Sequence, residues 1–365
     1  MNAVVRRKRS HLELCGTGDV EGRRSTLLEQ VHLFHEALPE LACDEVALDV
    51  TLLGRRLHAP IVISGMSGGA AEARELNRTL ARVAQDLGLG MGVGSQRAML
   101  LDPSTASTYQ VRDIAPDVLL LANIGVVQAR DAGAQRVADL AAAIGADALC
   151  VHLNPAQELV QDDGDRDFRG CLDAVARLVA ELPLPVIVKE TGCGFSPSTL
   201  VRLRRAGVRW IDVAGVGGTT WPGVEALRGS SRQQTLGAEL REWGVPTAAA
   251  VVYARQCGLS TIASGGVRGA MDAARALALG AEAVSLALPF LRAYRAAGYA
   301  GVHETAARLT EGLRAVLVLT GARAVGDLRR VPRVLGPQLR AWLAARAAPI
   351  AAIEDRETHA NTSDD

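Results

Sequence analysis

The chain has 365 residues, 48% of them hydrophobic and only 3% aromatic, so any core is aliphatic and large enough for one α/β barrel or two ordinary domains. Its 40 basic side chains balance 40 acidic ones, which removes a general electrostatic case for nucleic acid or an anionic membrane as partner. No stretch reaches the roughly 18 uninterrupted apolar residues of a membrane span.

From the N-terminus, the basic run Arg6-Arg7-Lys8-Arg9 is followed by a polar segment, unlike a signal peptide, so a cytoplasmic protein is expected. Residues 1–59 fit no repeat and are expected to pack on the rest as an N-terminal extension. Short apolar runs then recur at 60–64, 90–94, 118–122, 147–151, 185–189, 208–213, 260–264 and 283–287, which makes eight candidate strands. Between them lie stretches of helical length, such as 71–87, 170–182 and 268–279. This alternation predicts a (β/α)8 TIM barrel over residues 60–345.

A doubly wound open sheet is the competing architecture, because periodicity cannot separate closed from open. Polar or glycine-rich groups follow nearly every candidate strand, whereas open sheets gather such groups at one switch point, and this favours closure. The connection from Gly215 to Thr247 is longer than the others and is expected to act as a lid. Residues 346–365 read as a polar, partly disordered tail. The six cysteines are scattered without a CxxC pair, so reduced thiols are expected.

The most informative segment is His152-Leu153-Asn154-Pro155-Ala156-Gln157-Glu158, an imidazole, two amides and a carboxylate directly after the fourth candidate strand. Polar donors and a hard oxygen ligand at the C-terminal end of a barrel strand suit an anionic substrate held through Mg²⁺, with Glu158 the natural ligand. The same residues also read as an ordinary turn opening at Pro155. After the seventh strand comes Ser264-Gly265-Gly266-Val267-Arg268, placed where barrels of this type bind phosphate on exposed N–H groups and helix N-termini. Met66-Ser67-Gly68-Gly69, Ser95, Asn123 and Lys189 could surround a flat, polar-edged ring with a ribityl chain, which describes FMN better than a sugar phosphate. Lys189 also reads as a partner for Glu190 or another acid.

Ten motifs then follow in order: RKRSHL at 7–12, HEALPE at 35–40, GMSGG at 65–69, GVGSQR at 92–97, LANIG at 121–125, HLNPAQE at 152–158, VKETGCGFS at 188–196, GGTTW at 217–221, WGVPT at 243–247 and ASGGVR at 263–268. Together they resemble the type 2 isopentenyl diphosphate isomerases, FMN-dependent (β/α)8 enzymes. The resemblance runs from about Arg7 to the LTGA segment at 319–322, with Ser67 standing where the family usually has Thr.

The resemblance implies FMN contacts at Met66, Ser67, Gly68, Ser95, Asn123, Lys189, Thr219, Gly266, Val267, Arg268, Ala287 and Leu288. It implies that an isoprenoid diphosphate meets Arg7, Lys8, His11, Ser95, Gln96, Arg97, His152 and Asn154, with Gln157 near the reacting carbons and Glu158 on Mg²⁺. Gln157 and His152 are the candidate catalytic residues. NAD(P)H would serve only to reduce the flavin, and a homo-oligomer, tetramer or octamer, is expected.

Moving a double bond requires protonating one carbon and deprotonating another through a cation-like state, and Gln157 is too weak an acid to do this unaided. That favours reduced flavin as the acid/base. The strongest rival is an FMN-dependent 2-hydroxy acid dehydrogenase or oxidase, but such enzymes carry a His-Gly-Gly-Arg cluster, and the histidine is missing from Ser264-Gly265-Gly266-Val267-Arg268. A nucleotide dehydrogenase would need a nucleophilic cysteine, for which Cys193 is the awkward candidate.

Overall fold

The structure is a computed structural model that describes residues 3–345; the expected C-terminal tail, 346–365, lies outside the described residues. Eight parallel strands close into a barrel: β1 (Ile61–Ile63), β2 (Gly90–Gly92), β3 (Leu119–Gly125), β4 (Ala148–Leu153), β5 (Val186–Glu190), β6 (Trp210–Asp212), β7 (Ser260–Ala263) and β8 (Ala283–Leu286). They neighbour one another in chain order, and Val284 of β8 pairs with Ile61 of β1 to complete the ring. Closure excludes the open sheet. Each strand falls on one of the eight apolar runs, because a strand buried on both faces is apolar at most positions. All seven residues of β3 are buried.

Inward-facing side chains form their own cluster, in which Val62, Leu119, Leu121, Ile187 and Ile262 meet. A hairpin of Val50–Leu52 and Arg55–Leu57 plugs it from the N-terminal end of the barrel through Leu52 and Leu57, both almost fully buried. Burying two leucines there stabilises by about 1.5–3 kcal/mol each. The hairpin turns at Leu53 and Gly54, both at positive φ, as a two-residue turn requires. Arg55 holds it to the barrel base through Asp147, 2.6 Å away, just before β4.

Six helices position the site: α1 (Ala3–Thr17), α2 (Ala71–Leu87), α3 (Pro155–Val160), α4 (Trp221–Arg228), α5 (Ser231–Glu239) and α6 (Leu288–Leu319). In α2, the buried Ala73, Leu76, Leu80, Val83 and Ala84 fall at helical spacing and pack on the outside of the barrel. α1 lies across the opposite, C-terminal mouth, against α4 and α6. The chain then crosses the loops after β6 and β7, where the Gly22 amide donates to Gly218 and the Thr220 amide donates to Val20, each at 2.9 Å. Residues 31–33 pair antiparallel with 333–335.

The long connection expected after the sixth strand is folded into α4 and α5. Thr220 Oγ1 accepts from the Gly223 amide, and Ser230 forms a capping box with Gln233, so each helix starts on a side chain that satisfies its free N–H groups.

Candidate active site

The strand ends form the floor of one cavity. Lys189, at the end of β5, donates to Asp212 Oδ2 at 2.7 Å and to Ser264 Oγ at 3.3 Å. Ser264 in turn donates to Asp212 Oδ1 and accepts from the Ala214 amide at 3.1 Å. The acidic partner of Lys189 is therefore Asp212. Glu190 points elsewhere, accepting the amides of Thr191 at 2.7 Å, Gly192 at 2.8 Å and Cys193, while burial pushes its carboxyl up to about 7.

Beside Lys189, Gly265 and Gly266 both adopt positive φ, 91° and 74°. A Cβ on Gly266 would stand 2.3 Å from the Gly217 carbonyl oxygen, so two loops touch backbone to backbone there. Ser67 Oγ lines the cavity, is buried, and has no hydrogen-bond partner in the protein. Such an orphan costs about 1–3 kcal/mol unless a bound group satisfies it. An unsatisfied hydroxyl, a buried lysine and a glycine cradle fit a flat, polar-edged cofactor bearing a phosphate.

His152, at the end of β4, stands 2.8 Å from Asn123 Oδ1 through Nδ1. This fits the tautomer in which Nδ1–H donates and Nε2 keeps its lone pair. Burial, with Lys189, Lys8 and Arg97 nearby, pushes the imidazole down to about 4. His152 is thus neutral near pH 7, and in this tautomer Nε2 turns to its surroundings a lone pair, which does not attract an anion.

α3 opens at Pro155, which presets its first turn. Asn154 Nδ2 donates to Gln157 Oε1 at 3.1 Å and to Glu158 Oε1 at 2.9 Å, and the Asp165 amide donates to Glu158 Oε2 at 2.8 Å. No group of three His, Cys, Asp or Glu side chains among the described residues is arranged to hold a metal. A single carboxylate at the cavity suits Mg²⁺ that arrives with a diphosphate, since this ion keeps waters and phosphate oxygens as most of its ligands.

The roof is α1. His11 Nε2 is 2.8 Å from Glu225 Oε1 of α4, which also accepts from Gln157 Nε2 at 3.0 Å, while Arg228 reaches Glu225 Oε2 at 2.7 Å. Burial opposes the charge on Glu225, yet these partners hold its carboxyl below the usual range. His11 meets the Trp221 ring edge-on, with centroids 5.0 Å apart. Arg7 donates to Gln161 at 2.7 Å.

One cavity therefore gathers Arg7, Lys8, His11, Met66, Ser67, Ser95, Arg97, Asn123, His152, Asn154, Gln157, Glu158, Lys189, Thr219, Gly266, Val267, Arg268, Ala287 and Leu288. Two residues expected to make contacts are not part of this lining. Gln96 is fully buried, its amide donating to the Leu140 carbonyl at 2.8 Å and accepting from the Asn123 amide at 3.3 Å, so its side chain supports the floor from behind. Gly68 is a glycine because a Cβ there would stand 1.9 Å from the Tyr109 ring; it lies outside the cavity lining. Arg268 does line the cavity, but its Nε donates to Glu21 at 2.9 Å, a carboxylate shared with Arg292 at 2.9 Å.

Asp212, Glu225 and Tyr109 were missed in the sequence. Asp212 left a signal, an acid inside the apolar run 208–213. Glu225 and Tyr109 left none, because their partners come from residues far away in the chain. The Cys193 thiol is pushed up by burial and by Glu190, the opposite of what a nucleophile needs.

Comparison with known proteins agrees with this geometry. The FMN-dependent dehydrogenase family model matches residues 152–333. The chain is 42% identical over 353 residues to isopentenyl-diphosphate delta-isomerase of Thermococcus onnurineus, covering 94% of each protein. It is 42% identical over 352 residues to the isomerase of Methanosarcina mazei, covering 95% of this chain and 96% of that one. A crystal structure of mandelate oxidase with (S)-2-phenylpropionate superposes with a TM-score of 0.62 at 20% identity, covering 90% of this chain and 97% of that one, a likeness of fold alone.

Proposed function

The chain belongs to the isopentenyl-diphosphate delta-isomerase family, and on that premise we propose that it interconverts isopentenyl and dimethylallyl diphosphate, using reduced FMN at the cavity floor and Mg²⁺ at Glu158. The observation that carries the assignment is identity of 42% along 94% of the chain. The cavity supports it by opposing a cofactor-like floor to a cationic roof.

The reaction adds a proton at one carbon and removes one from another, with no net redox change. Reduced FMN, when bound, supplies a ring edge that can donate and recover a proton and an electron-rich face for the developing cation. Met66, Ser67, Ser95, Asn123, Thr219, Gly266, Val267, Arg268, Ala287 and Leu288 hold it in this proposal. Lys189 presents a cation there, and Asp212 with Ser264 fixes its direction.

Arg7, Lys8, His11, Ser95, Arg97, Asn154 and protonated His152 receive the diphosphate. Gln157, held at its amide by Glu225, orients the hydrocarbon end and is not itself the acid. α1 and Trp221 exclude water, which would otherwise capture a tertiary cation. NAD(P)H as flavin reductant, a homo-oligomer (tetramer or octamer) and a cytoplasmic location belong to the same proposal. Among the described residues, no helix is long and apolar enough to cross a membrane.

The hydroxy acid oxidase alternative is weaker at the chemistry. The segment Ser264-Gly265-Gly266-Val267-Arg268 carries no histidine to serve as the base of that reaction, and the Ser264 hydroxyl is turned down onto Asp212. Anaerobic incubation with isopentenyl diphosphate, Mg²⁺ and dithionite-reduced FMN should yield dimethylallyl diphosphate, and Glu158→Gln should damage Mg²⁺-dependent substrate binding while flavin affinity stays near that of the parent. Equal turnover with strictly oxidised flavin, or oxidation of 2-hydroxy acids in its place, would overturn the assignment.

A further inference from the structure

Tyr109 is fully buried beside the loop that follows β1, yet its hydroxyl is engaged at the cavity edge. The phenol donates to the Ser95 carbonyl at 2.9 Å and accepts from Lys8 Nζ at 2.9 Å, and Lys8 also donates to that same carbonyl. Burial pushes the phenol above its ordinary range, so it stays protonated and can fill both roles. The ring is fixed by neighbours: Gly68 leaves room for it, the Gly69 amide donates to Thr108 Oγ1 at 2.7 Å, and Asn77 Nδ2 donates to the Thr108 carbonyl at 2.8 Å.

A phenylalanine would fill the same space. What the hydroxyl adds is an anchor for the end of a lysine that has four rotatable bonds and stands on a different element. We propose that Tyr109 is a positioning residue for the isomerase reaction: with the Ser95 carbonyl it forms a socket that seats Lys8, docks α1 over the cavity and aims the ammonium at the substrate diphosphate.

Two further features agree. Burial, and then the like charges of Arg7 and Arg97, push the Lys8 ammonium down to about 7. A socket of two oxygens offsets part of that penalty before any anion arrives. Lys8 Nζ also lies 2.9 Å from the phenol oxygen and 5.4 Å from the ring centroid, off the hydroxyl edge of the ring, so the hydrogen bond and not the ring face seats it. His152, which feels Lys8, faces the same corner of the cavity. Docking here holds the N-terminal half of α1, while Glu21, just past the end of the helix, is held by Arg268 and Arg292.

The role rests on the cavity being the isoprenoid diphosphate site, so the test has an arm free of substrate. In FMN-loaded protein without substrate, the amides of α1 should exchange hydrogen faster in Tyr109→Phe, as they should in Lys8→Met. With isopentenyl diphosphate, kcat/KM should fall about tenfold in Tyr109→Phe, carried by KM. In the Lys8→Met background the same change should cost less than about twofold, because the hydroxyl acts through the lysine. FMN affinity and melting temperature should stay at the parent's values. Unchanged exchange of α1, an equal kinetic loss in both backgrounds, or a loss of FMN affinity would each overturn the positioning role. Absence of turnover in the parent protein would overturn the proposed function and leave the exchange result to decide whether Tyr109 seats Lys8.

Discussion

At the floor of the cavity, Lys189, Ser264 and Gly266 stand on strand ends and on loops that touch through their backbones. At its roof, Arg7, Lys8 and His11 stand on one helix that reaches the barrel through side chains: Arg7 to Gln161, Lys8 to Ser95, His11 to Glu225. The floor is inseparable from the barrel core, whereas the site residues of the roof are tied to it by side-chain contacts, which are the first to give way in local opening. Cofactor binding and substrate binding should therefore fail independently, and the following variants test that separation.

The largest effect is expected at the floor's buried ion pair. Asp212→Asn leaves the Lys189 cation uncompensated and should destabilise the flavin-free protein by about 3–5 kcal/mol. Thermal melting should show this loss, partly recovered on adding FMN; equal loss with and without flavin would show that Lys189 does not face the cofactor. Next, Gly266→Val forces a side chain against the Gly217 carbonyl at positive φ. Flavin affinity should fall by about a hundredfold in absorbance titrations, the equivalent of about 2.7 kcal/mol. Tight FMN binding by this variant would place the phosphate elsewhere.

Deleting residues 1–10 removes Arg7 and Lys8 from the roof. KM for the diphosphate should rise at least about tenfold, since each charge-assisted contact contributes about 1.5–3 kcal/mol, and FMN binding should survive. An unchanged KM would return those residues to the status of a solvated tail.

The smallest effect is a pH dependence at the boundary between floor and roof. His152 is lowered from 6.5 to about 4, so between those pH values the unfolded chain binds a proton that the folded chain does not. The folded state therefore loses stability as pH falls through that window. Melting temperatures of His152→Gln should decline less steeply from pH 6.5 to 4 than those of the parent; parallel curves would mean the imidazole is not held neutral.

The floor was also the more legible half in the sequence. Buried parallel strands are apolar at most positions, so β1 to β8 appear as apolar runs, and the polar residues towards their ends mark the mouth without long-range information. Gln96 and Gly68 show the limit. Both sit in motifs among true cavity residues, but one side chain turns behind β3 and the other position is cleared for a tyrosine. A motif records neighbours in the chain and carries no direction for any single side chain.

The roof was legible only as a list. Arg7, Lys8 and His11 stood out in RKRSHL, but the residues that receive them, Tyr109, Gln161 and Glu225, come from three other parts of the chain. Local sequence alone determined the alternation of eight strands with helices and the polar mouth, because those follow from side-chain periodicity, whereas the order of the strands in the ring and its closure rest on the pairing of β8 with β1. Tertiary structure alone decided that Asp212 holds Lys189, that Glu225 ties α1 to α3, and that Glu21 occupies Arg268. Pairings of charged and polar groups across long separations depend on where the closed barrel brings them, and no periodicity encodes that.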